Sequence, residues 1–242
     1  MTGPAGAYAP GVIAPNGEPS LSLHHIPFFF DVPEADMTRF AARARWKTCV
    51  AGEVVVDKGD ETNEVYFILS GAVRIMTRTA FGHEAILDDL GPGGFFGELA
   101  AIDDHPRSAN VTTLLRTRLC LLPGEAFMDI VLSSPVLGRR LLRLLSMRVR
   151  VKDERLIEFN VLSVRQRLIA ELLRLSRDRG GGELILSPPP PQRVLAARIG
   201  TRRESVSREL VDLSRAGLVT VTRRGIVLHR AGELLAEVQA SL

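Results

Sequence analysis

Residues 49–122 contain many short β-like segments separated by glycines, and this pattern constrains the fold more than any other feature. Short segments rich in Val, Ile and Leu, bounded by turn residues, are typical of strands. Glycine suits the turns because it adopts positive φ angles without strain. Many short strands joined in this way predict an antiparallel β-barrel or jelly roll. The segments are Glu53–Val56, Val65–Leu69, Ala72–Met76, Ala85–Asp88 and Arg118–Leu121, and the glycines are Gly52, Gly59, Gly71, Gly82, Gly91, Gly93 and Gly94.

Within this β-rich region, residues 93–110 combine a glycine-rich turn with one carboxylate, Glu98, and one guanidinium, Arg107, nine residues later. Backbone N–H groups after Gly97 can face a phosphate, and Arg107 can pair with that phosphate through its planar fork. Glu98 can accept a hydrogen bond from a ribose hydroxyl. Alternatively, Glu98 and Arg107 form a surface ion pair beside a glycine turn. From these residues alone, both interpretations stay open.

The charge of the chain is divided unevenly along its length. Residues 1–160 carry 17 Lys and Arg against 20 Asp and Glu, whereas residues 161–242 carry 14 Arg, no Lys and 8 Asp and Glu. A basic final third indicates a polyanionic partner. A coding bias could explain the use of arginine in place of lysine, but it does not explain the change of sign.

The remaining composition limits the class of protein. Cys49 and Cys120 lie far apart with no Cys or His at ligand spacing, which predicts free thiols, a reducing compartment and no bound metal. There is no apolar run of membrane-spanning length and no secretion signal, so we expect a cytoplasmic protein without a membrane partner. No local nucleophile motif supports an enzyme. Residues 1–22 are rich in Gly, Pro and Ala and predict a disordered tail.

Two helices are predicted in the first two thirds of the chain. A short one covers Val32–Arg45, with Asp31 or Pro33 near its start, and a long one runs from Pro135 to Asn160. The long helix has apolar residues at alternating steps of three and four, which is a heptad pattern. The pattern predicts a homodimer, and the alternative is a helix packed only on its own barrel. The seam is Leu142, Leu145, Val149, Leu156 and Phe159 with Lys152 in the missing place, and Leu137, Leu141 and Leu144 form an adjacent flank.

The arginine-rich end of the chain predicts a helix-turn-helix, made of Gln192–Ile199, Gly200 and Arg202–Ala216. Residues near the start of such a second helix reach base edges, where Arg can bind guanine and Glu can accept from cytosine. A solvated, charged helix face is the alternative. An amphipathic helix over Ser163–Ser176 precedes this motif, with loop and turn segments at Gly180–Gly182 and Pro188–Pro191. A hairpin over Gly217–Leu228, with its tip at Arg223–Gly225, follows it.

The glycine-rich segment resembles the phosphate-binding cassette of cyclic-nucleotide-binding domains. In that cassette a Gly-Glu-Leu run is followed by Arg-Ser-Ala or Arg-Ala-Ala, and Gly97, Glu98 and Leu99 together with Arg107, Ser108 and Ala109 fall on the pattern. The resemblance implies that the segment binds a cyclic nucleotide. The implied binding residues are Phe95, Gly97, Glu98, Leu99, Ala100, Arg107, Ser108 and Ala109.

The run from Gly200 to Arg208 resembles the recognition helix of the catabolite activator/fumarate-nitrate regulator superfamily. The resemblance implies an α+β fold: an N-terminal antiparallel jelly-roll barrel (23–133), a dimerisation helix (134–160) and a C-terminal winged helix-turn-helix (161–242). The implied partners are a palindromic double-stranded DNA with TGTGA-like half-sites, a second copy of the chain, and RNA polymerase. The implied DNA contacts are Arg203 and Arg208 to guanines, Glu204 to a cytosine, and further contacts from Arg202, Ser205, Ser207 and the wing residue Arg223.

The identity of the nucleotide depends on Lys152 and Asp153, which occupy the positions where the cyclic-AMP-binding activator has a Thr-Ser pair. A carboxylate can accept from guanine N1 and N2, a lysine can reach O6 or N7, and Ser108 could also accept from N2. These residues favour cyclic GMP over cyclic AMP. Alternatively, Lys152 and Asp153 pair across the dimer seam and contact no base. A cyclic dinucleotide and an effector-independent DNA-binding protein also stay open.

Overall fold

The computed structural model describes residues 22–78 and 84–242, which fall into two compact units. The first unit comprises the described residues up to Thr77 together with Leu87–Leu145, and the second comprises the described residues of 78–86 together with Ser146–Leu242. The predicted tail, 1–22, lies outside the described residues except for Ser22, whose hydroxyl accepts a hydrogen bond from the His24 N–H at 3.3 Å.

The first unit is built around two antiparallel sheets. It begins with 3-10 turns at Leu23–His25 and Pro27–Phe29 and with helix α1 (Glu34–Ala41). The strands are β1 (Arg45–Cys49), β2 (Val54–Val56), β3 (Val65–Ser70), β4 (Val73–Arg78), β5 (Glu84–Leu90), β6 (Phe95–Phe96), β7 (Asn110–Thr113) and β8 (Thr117–Leu122). They pair in the orders β1-β8-β3-β6 and β2-β7-β4-β5. The predicted antiparallel jelly roll is confirmed.

Several boundaries in this unit differ from the predictions. The first helix ends at Ala41 instead of Arg45, and after a turn at 42–44 the chain forms β1, which pairs with β8 from Arg45 opposite Leu121 to Cys49 opposite Thr117. Strands β6 and β7 were not predicted. Strand β6 has only two residues and is defined by its pairing with β3, so no sequence period marks it.

The core of the first unit is aromatic. Phe67 of β3, Phe95 of β6 and Phe127 pack with ring centroids 5.1–6.3 Å apart, and Phe28 from the second 3-10 turn joins them. Phe127 lies on α3 (Gly124–Ser133), a helix that the sequence pattern did not reveal. A short helix, α2 (Glu98–Asp103), follows β6.

The long helix α4 (Pro135–Val161) agrees with the predicted one to within one residue. Its two apolar flanks differ in burial, as expected. Leu137 and Leu141 are buried in the core of the first unit, whereas the seam residues Leu142, Val149 and Leu156 are each about 60% exposed or more (67%, 58% and 61%). Leu142, Val149 and Leu156 therefore form an apolar stripe that the described residues leave exposed, whereas Leu145 of the same seam packs against the core of the first unit.

The second unit is a winged helix-turn-helix, as predicted. Helix α5 (Val164–Leu175) begins with a capping box in which Ser163 and Gln166 satisfy each other's backbone N–H groups. The other elements are β9 (Arg177–Gly180), β10 (Glu183–Leu186), α6 (Gln192–Arg198), α7 (Arg203–Arg215), β11 (Val219–Val221), β12 (Ile226–Leu228) and α8 (Ala231–Gln239). The four strands pair in the order β11-β12-β10-β9.

Two features of this unit add to the sequence analysis. Gly180–Gly182, predicted as loop or turn, form the turn of a β9–β10 hairpin whose strands were not predicted: all three glycines adopt positive φ, and Leu184 and Ile185 pair with Asp178 and Arg177. Helix α8 was not predicted. It packs on α5, where Arg165 and Glu237 form an ion pair with a distance of 2.7 Å between Nε and Oε1.

Candidate nucleotide cassette and DNA-reading surface

Arg107 is the centre of the cassette. Its side chain is only 2% exposed, and its guanidinium donates to the Thr62 hydroxyl at 3.0 Å, to the Gly97 carbonyl at 3.0 Å and to the Glu64 carboxylate at 3.4 Å. The guanidinium also lies 5.7 Å from the centre of the Tyr66 ring. Since a guanidinium has five N–H donors, these bonds leave two donors for an anion.

The environment of Arg107 is set by the loop before β3 and by the backbone of the cassette. The Arg107 N–H donates to the Asp60 carbonyl at 2.8 Å, and the Gly59 N–H donates to the Arg107 carbonyl at 2.9 Å. Burial and the neighbouring Glu64 carboxylate raise the pKa of the Tyr66 hydroxyl, so this ring stays neutral beside the guanidinium. A buried arginine held on several sides is a preorganised binder of anions.

Gly97 is required where β6 meets α2. Its φ is +86°, a conformation that other residues rarely adopt, and a Cβ atom there would lie 2.6 Å from the Glu64 carbonyl oxygen and 2.7 Å from an Arg107 nitrogen. The glycine therefore allows the cassette backbone to approach Arg107 closely. Its own carbonyl then becomes one of the acceptors for the guanidinium.

The other predicted cassette residues divide by exposure. Glu98 is buried at 4% on the first turn of α2, while Leu99 is 45% exposed and Ser108 is exposed. Ala100, Ala109 and Phe95 are buried, and the Phe95 ring packs in the aromatic core. The core therefore occupies the Phe95 side chain and leaves its backbone to face a ligand, so a role for Phe95 in nucleotide binding stays a prediction about its backbone.

Lys152 and Asp153 lie on α4 in the second unit, and both side chains are exposed. Neither forms an ion pair or hydrogen bond within residues 22–78 and 84–242. The alternative in which they pair across a dimer seam needs a second chain, so it stays a prediction. Their role toward a nucleotide base stays a prediction as well.

The helix-turn-helix is held together by a small apolar core. Leu195 and Ile199 from the end of α6 pack with Val206, Leu210 and Leu213 of α7, all at 3% exposure or less. Gly200 makes the turn with φ at +61°, and the Thr201 N–H donates back to the Ala196 carbonyl at 3.0 Å. Because the apolar residues of α7 recur at steps of three and four, its opposite face is free for polar contacts.

That opposite face carries the predicted DNA contacts. Arg203, Glu204 and Arg208 are exposed, Arg202 is the exposed residue just before α7, and Ser205 and Ser207 are half-buried. In the described part of the chain, none of these three arginines forms an ion pair. Arg223 is exposed at the wing tip, where the Thr222 N–H donates to the Gly225 carbonyl at 2.9 Å and closes the turn. The structure thus gathers the predicted helix residues on one exposed face.

Sequence reasoning missed further residues at both sites. Gln192 and Arg193 lie with Arg203 around a cleft of about 390 Å³, and no motif marked them. An arginine at the start of α6 could have been noticed, since the first helix of such motifs crosses the DNA backbone. Thr62 and Glu64 were also missed, because their contact with Arg107 joins positions more than forty residues apart.

Two known domain families match the chain in the regions just described. The cyclic nucleotide-binding domain matches residues 46–134, and the Crp-like helix-turn-helix domain matches residues 166–237. The cyclic AMP receptor protein of Thermus thermophilus is 34% identical over 191 residues, covering 79% of this chain and 86% of that protein. The chain belongs to the catabolite activator (CRP/FNR) family. It is a DNA-binding transcription regulator with a cyclic nucleotide-binding domain, not an enzyme.

Other relatives agree with this membership. The CRP-like cAMP-activated global transcriptional regulator of Mycobacterium tuberculosis is 29% identical over 186 residues, covering 76% of this chain and 83% of the relative. Among solved structures, the Thermus thermophilus catabolite activator protein is 27% identical with a TM-score of 0.50, covering 89% of this chain and all of that one. The c-di-GMP responsive regulator CLP of Xanthomonas campestris shares the fold, with 24% identity, a TM-score of 0.70 and coverage of 81% and 99%.

Two further observations concern the described residues alone. Their side chains contain no cluster of three or more His, Cys, Asp and Glu that could hold a metal ion. None of the helices formed by residues 22–78 and 84–242 combines the length and apolar character that a membrane span needs.

Proposed function

We propose that this CRP/FNR regulator is a homodimer whose affinity for a palindromic DNA is controlled by a cyclic purine nucleotide. The observation that carries the proposal is the buried Arg107, held by Thr62, Gly97 and Glu64 with two N–H donors left over. A nearly fully buried arginine with unused donors is costly unless it binds an anion or a polar group. A cyclic phosphate supplies that anion.

The roles of the cassette residues follow from their chemistry. Arg107 donates to the two exocyclic oxygens of the cyclic phosphate, and the exposed Ser108 hydroxyl can add a further donor. Glu98, buried on the first turn of α2, accepts from the ribose 2′-hydroxyl. Together these groups require an anion and a free hydroxyl on one small ligand, which a 3′,5′-cyclic nucleotide provides.

Two arguments point to different bases. The relatives from Thermus thermophilus and Mycobacterium tuberculosis are named for cyclic AMP. In this chain, however, the exposed Lys152 and Asp153 occupy the positions where, by the family resemblance, the cyclic-AMP-binding activator has a Thr-Ser pair. A carboxylate there suits the N1 and N2 donors of guanine. We favour cyclic GMP on that ground, with cyclic AMP as the alternative.

The DNA-binding part of the proposal rests on α7 and α4. The exposed Arg203 and Arg208 can each bind a guanine and Glu204 a cytosine, which suits TGTGA-like half-sites. The exposed seam of α4, with Leu142, Val149 and Leu156, supplies the surface for a second copy of the chain. Two copies present two recognition helices to the two halves of a palindrome. Contact with RNA polymerase stays a prediction.

Calorimetric titration of the full chain with cyclic GMP and cyclic AMP tests the ligand. The wild type should bind at least one of them, and Arg107→Ala should weaken that binding by more than about tenfold, since a charge-assisted bidentate contact contributes roughly 1.5–3 kcal/mol. Arg74→Ala is the matched control, because Arg74 forms its own two-point bond to Asp89 at 2.7 and 2.8 Å in the same unit. Unchanged affinity in Arg107→Ala would refute the cassette assignment.

The same titration with Asp153→Ser tests the base. We expect this substitution to weaken cyclic GMP binding and to leave cyclic AMP binding within about twofold, because only guanine presents two adjacent donors to a carboxylate. Tighter binding of cyclic AMP by the wild type would leave the proposed nucleotide-controlled regulator intact but would contradict the preference for cyclic GMP.

A further inference from the structure

Glu171 is a fully buried carboxylate that no step of the proposed function uses. It lies on α5 at 0% exposure and contacts arginines from three helices: Arg155 of α4 at 2.7 Å, Arg174 of α5 at 2.6 Å and Arg198 of α6 at 3.2 Å. All four residues belong to the second unit. One side chain therefore joins the end of the long helix to the first helix of the helix-turn-helix.

Glu158 extends this arrangement by one residue. It lies on α4 one turn after Arg155 and accepts from Arg174 at 2.5 Å, with Arg155 at 3.8 Å. We refer to Arg155, Glu158, Glu171, Arg174 and Arg198 as the Glu171 cluster. Two carboxylates and three guanidiniums at these distances satisfy most of one another's charge. Ion pairs around a buried carboxylate such as Glu171 add little net stability, but leaving that carboxylate unpaired is costly, so they favour one arrangement of the helices that carry them.

A second, apolar contact joins the same elements. The ring of Phe159, on the last turn of α4, lies over Gly200 in the turn of the helix-turn-helix, where an added Cβ would be 2.7 Å from the ring. Arg167 of α5 holds this ring in place, since its guanidinium lies 5.4 Å from the ring centre and donates to the Phe159 carbonyl at 3.1 Å. The sequence pattern assigned Phe159 to the dimer seam, whereas here it packs on its own DNA-binding motif.

We infer that Glu171 is a positioning residue for DNA binding, which ties the last two turns of α4 to α6 so that the recognition helix follows any movement of α4. The inference rests on the proposed function, in which the nucleotide acts on the barrel and on α4. Helix α6 carries α7 with it, because Leu195 and Ile199 are buried against Val206 and Leu210. The Glu171 cluster is thus the stiff link between the nucleotide-responsive helix and the DNA-reading helix.

Substitution of Arg155 isolates this link. Arg155→Gln removes the main contact from α4 but leaves Glu171 paired with Arg174 and Arg198, so the buried carboxylate remains neutralised. Glu171→Gln removes the centre of the cluster. Glu237→Gln is the matched control, because it breaks the Arg165–Glu237 pair between α5 and α8 without touching α4 or α6.

The readout is DNA affinity of the full chain, measured by fluorescence anisotropy on a palindromic TGTGA duplex with saturating cyclic AMP, with saturating cyclic GMP and without nucleotide. The expected result is an unchanged nucleotide affinity in all variants. The gain in DNA affinity on adding nucleotide should fall by at least about fivefold in Arg155→Gln, the low end of typical allosteric couplings, and persist in Glu237→Gln. A merely structural cluster would lower DNA affinity equally with and without nucleotide, which would overturn the inference.

Amide hydrogen exchange of the nucleotide-free chain tests the link independently. Arg155→Gln should increase exchange in 192–198 of α6 and in the last turns of α4, while Glu237→Gln should not. Unchanged exchange in α6 would overturn the inference. A wild type whose DNA affinity ignores both nucleotides would contradict the proposed function instead, and the exchange result would still decide whether the cluster holds α6.

Discussion

At the scale of single residues, Glu171 shows how neighbours can reverse the effect of burial. Burial alone would favour the neutral carboxyl, but Arg155, Arg174 and Arg198 outweigh it and hold the pKa of Glu171 below its ordinary value. A carboxyl with a depressed pKa in the folded state stabilises the fold above the pKa of the unfolded chain. That contribution is lost as the pH falls through the folded value.

The depressed pKa predicts a pH-dependent difference between the wild type and Glu171→Gln. At pH 7 the wild type should melt at a clearly higher temperature, because only its charged carboxylate pairs with three arginines. The difference should shrink as the pH falls below about 4, where a free glutamate titrates. Thermal melts from pH 7 to pH 3 measure it, and a difference that stays constant over this range would contradict the assignment.

The residues of the cassette motif could be predicted from the sequence, whereas their tertiary partners could not. Gly97, Glu98 and Arg107 were found because they form a local pattern with fixed spacing. The partners of Arg107 and of Glu171 come from positions brought near by tertiary folding, and no single sequence marks such pairs. The packing of Phe95 could not be predicted either, since β6 turns its ring into the aromatic core and periodicity cannot assign faces to a two-residue strand.

At the scale of elements, the turn of the helix-turn-helix can be tested with two glycines of similar backbone geometry. Gly200 and Gly181 have φ of +61° and +65°, but only Gly200 faces a side chain, the Phe159 ring. Alanine at either position costs about 1 kcal/mol or more for the left-handed backbone. Gly200→Ala should cost more than Gly181→Ala in the free energy of unfolding.

The excess should disappear in a Phe159→Ala background, because the clash depends on the ring. Urea unfolding of the wild type, Gly200→Ala, Phe159→Ala and the double variant measures this coupling as a double-mutant cycle. Equal costs for Gly200→Ala with and without Phe159 would show that the ring does not pack on the turn.

The exposed seam of α4 predicts the oligomeric state. Val149→Glu places a charge at a seam position, so it should raise the dimer dissociation constant by at least about tenfold, as measured by analytical ultracentrifugation. Val151→Glu is the control, because Val151 is similarly exposed (50% against 58%) but lies off the heptad seam. A similar effect of both substitutions would argue against the seam as the interface.

Elements were predictable in proportion to their length and period. Helix α4 and the pair α6–α7 repeat apolar residues over several turns, so their bounds agree with the predictions to within one or two residues. Strands β1, β6, β7, β9 and β10 were missed because they are short or exposed and depend on their partners. Strand β9 is exposed along its whole length, so it carries no alternation of apolar and polar residues.

At the scale of the whole molecule, the acidic and basic parts of the chain coincide with its two domains. The acidic first two thirds contain the cyclic nucleotide-binding domain, and the basic remainder contains the Crp-like helix-turn-helix. In the proposed function, arginines at the start of α7 and at the wing tip present that charge to DNA phosphates and bases. Arg203→Ala should therefore reduce discrimination between palindromic and random DNA without altering nucleotide affinity.

The most direct test of the central claim is the affinity of the full chain for a palindromic TGTGA duplex, measured with and without cyclic nucleotide at a fixed salt concentration. Our account predicts that saturating cyclic GMP or cyclic AMP tightens binding to this duplex by about 5- to 150-fold, and that Arg107→Ala abolishes the increase. Equal affinity with and without either nucleotide would contradict it and would indicate a DNA-binding protein that does not depend on these effectors.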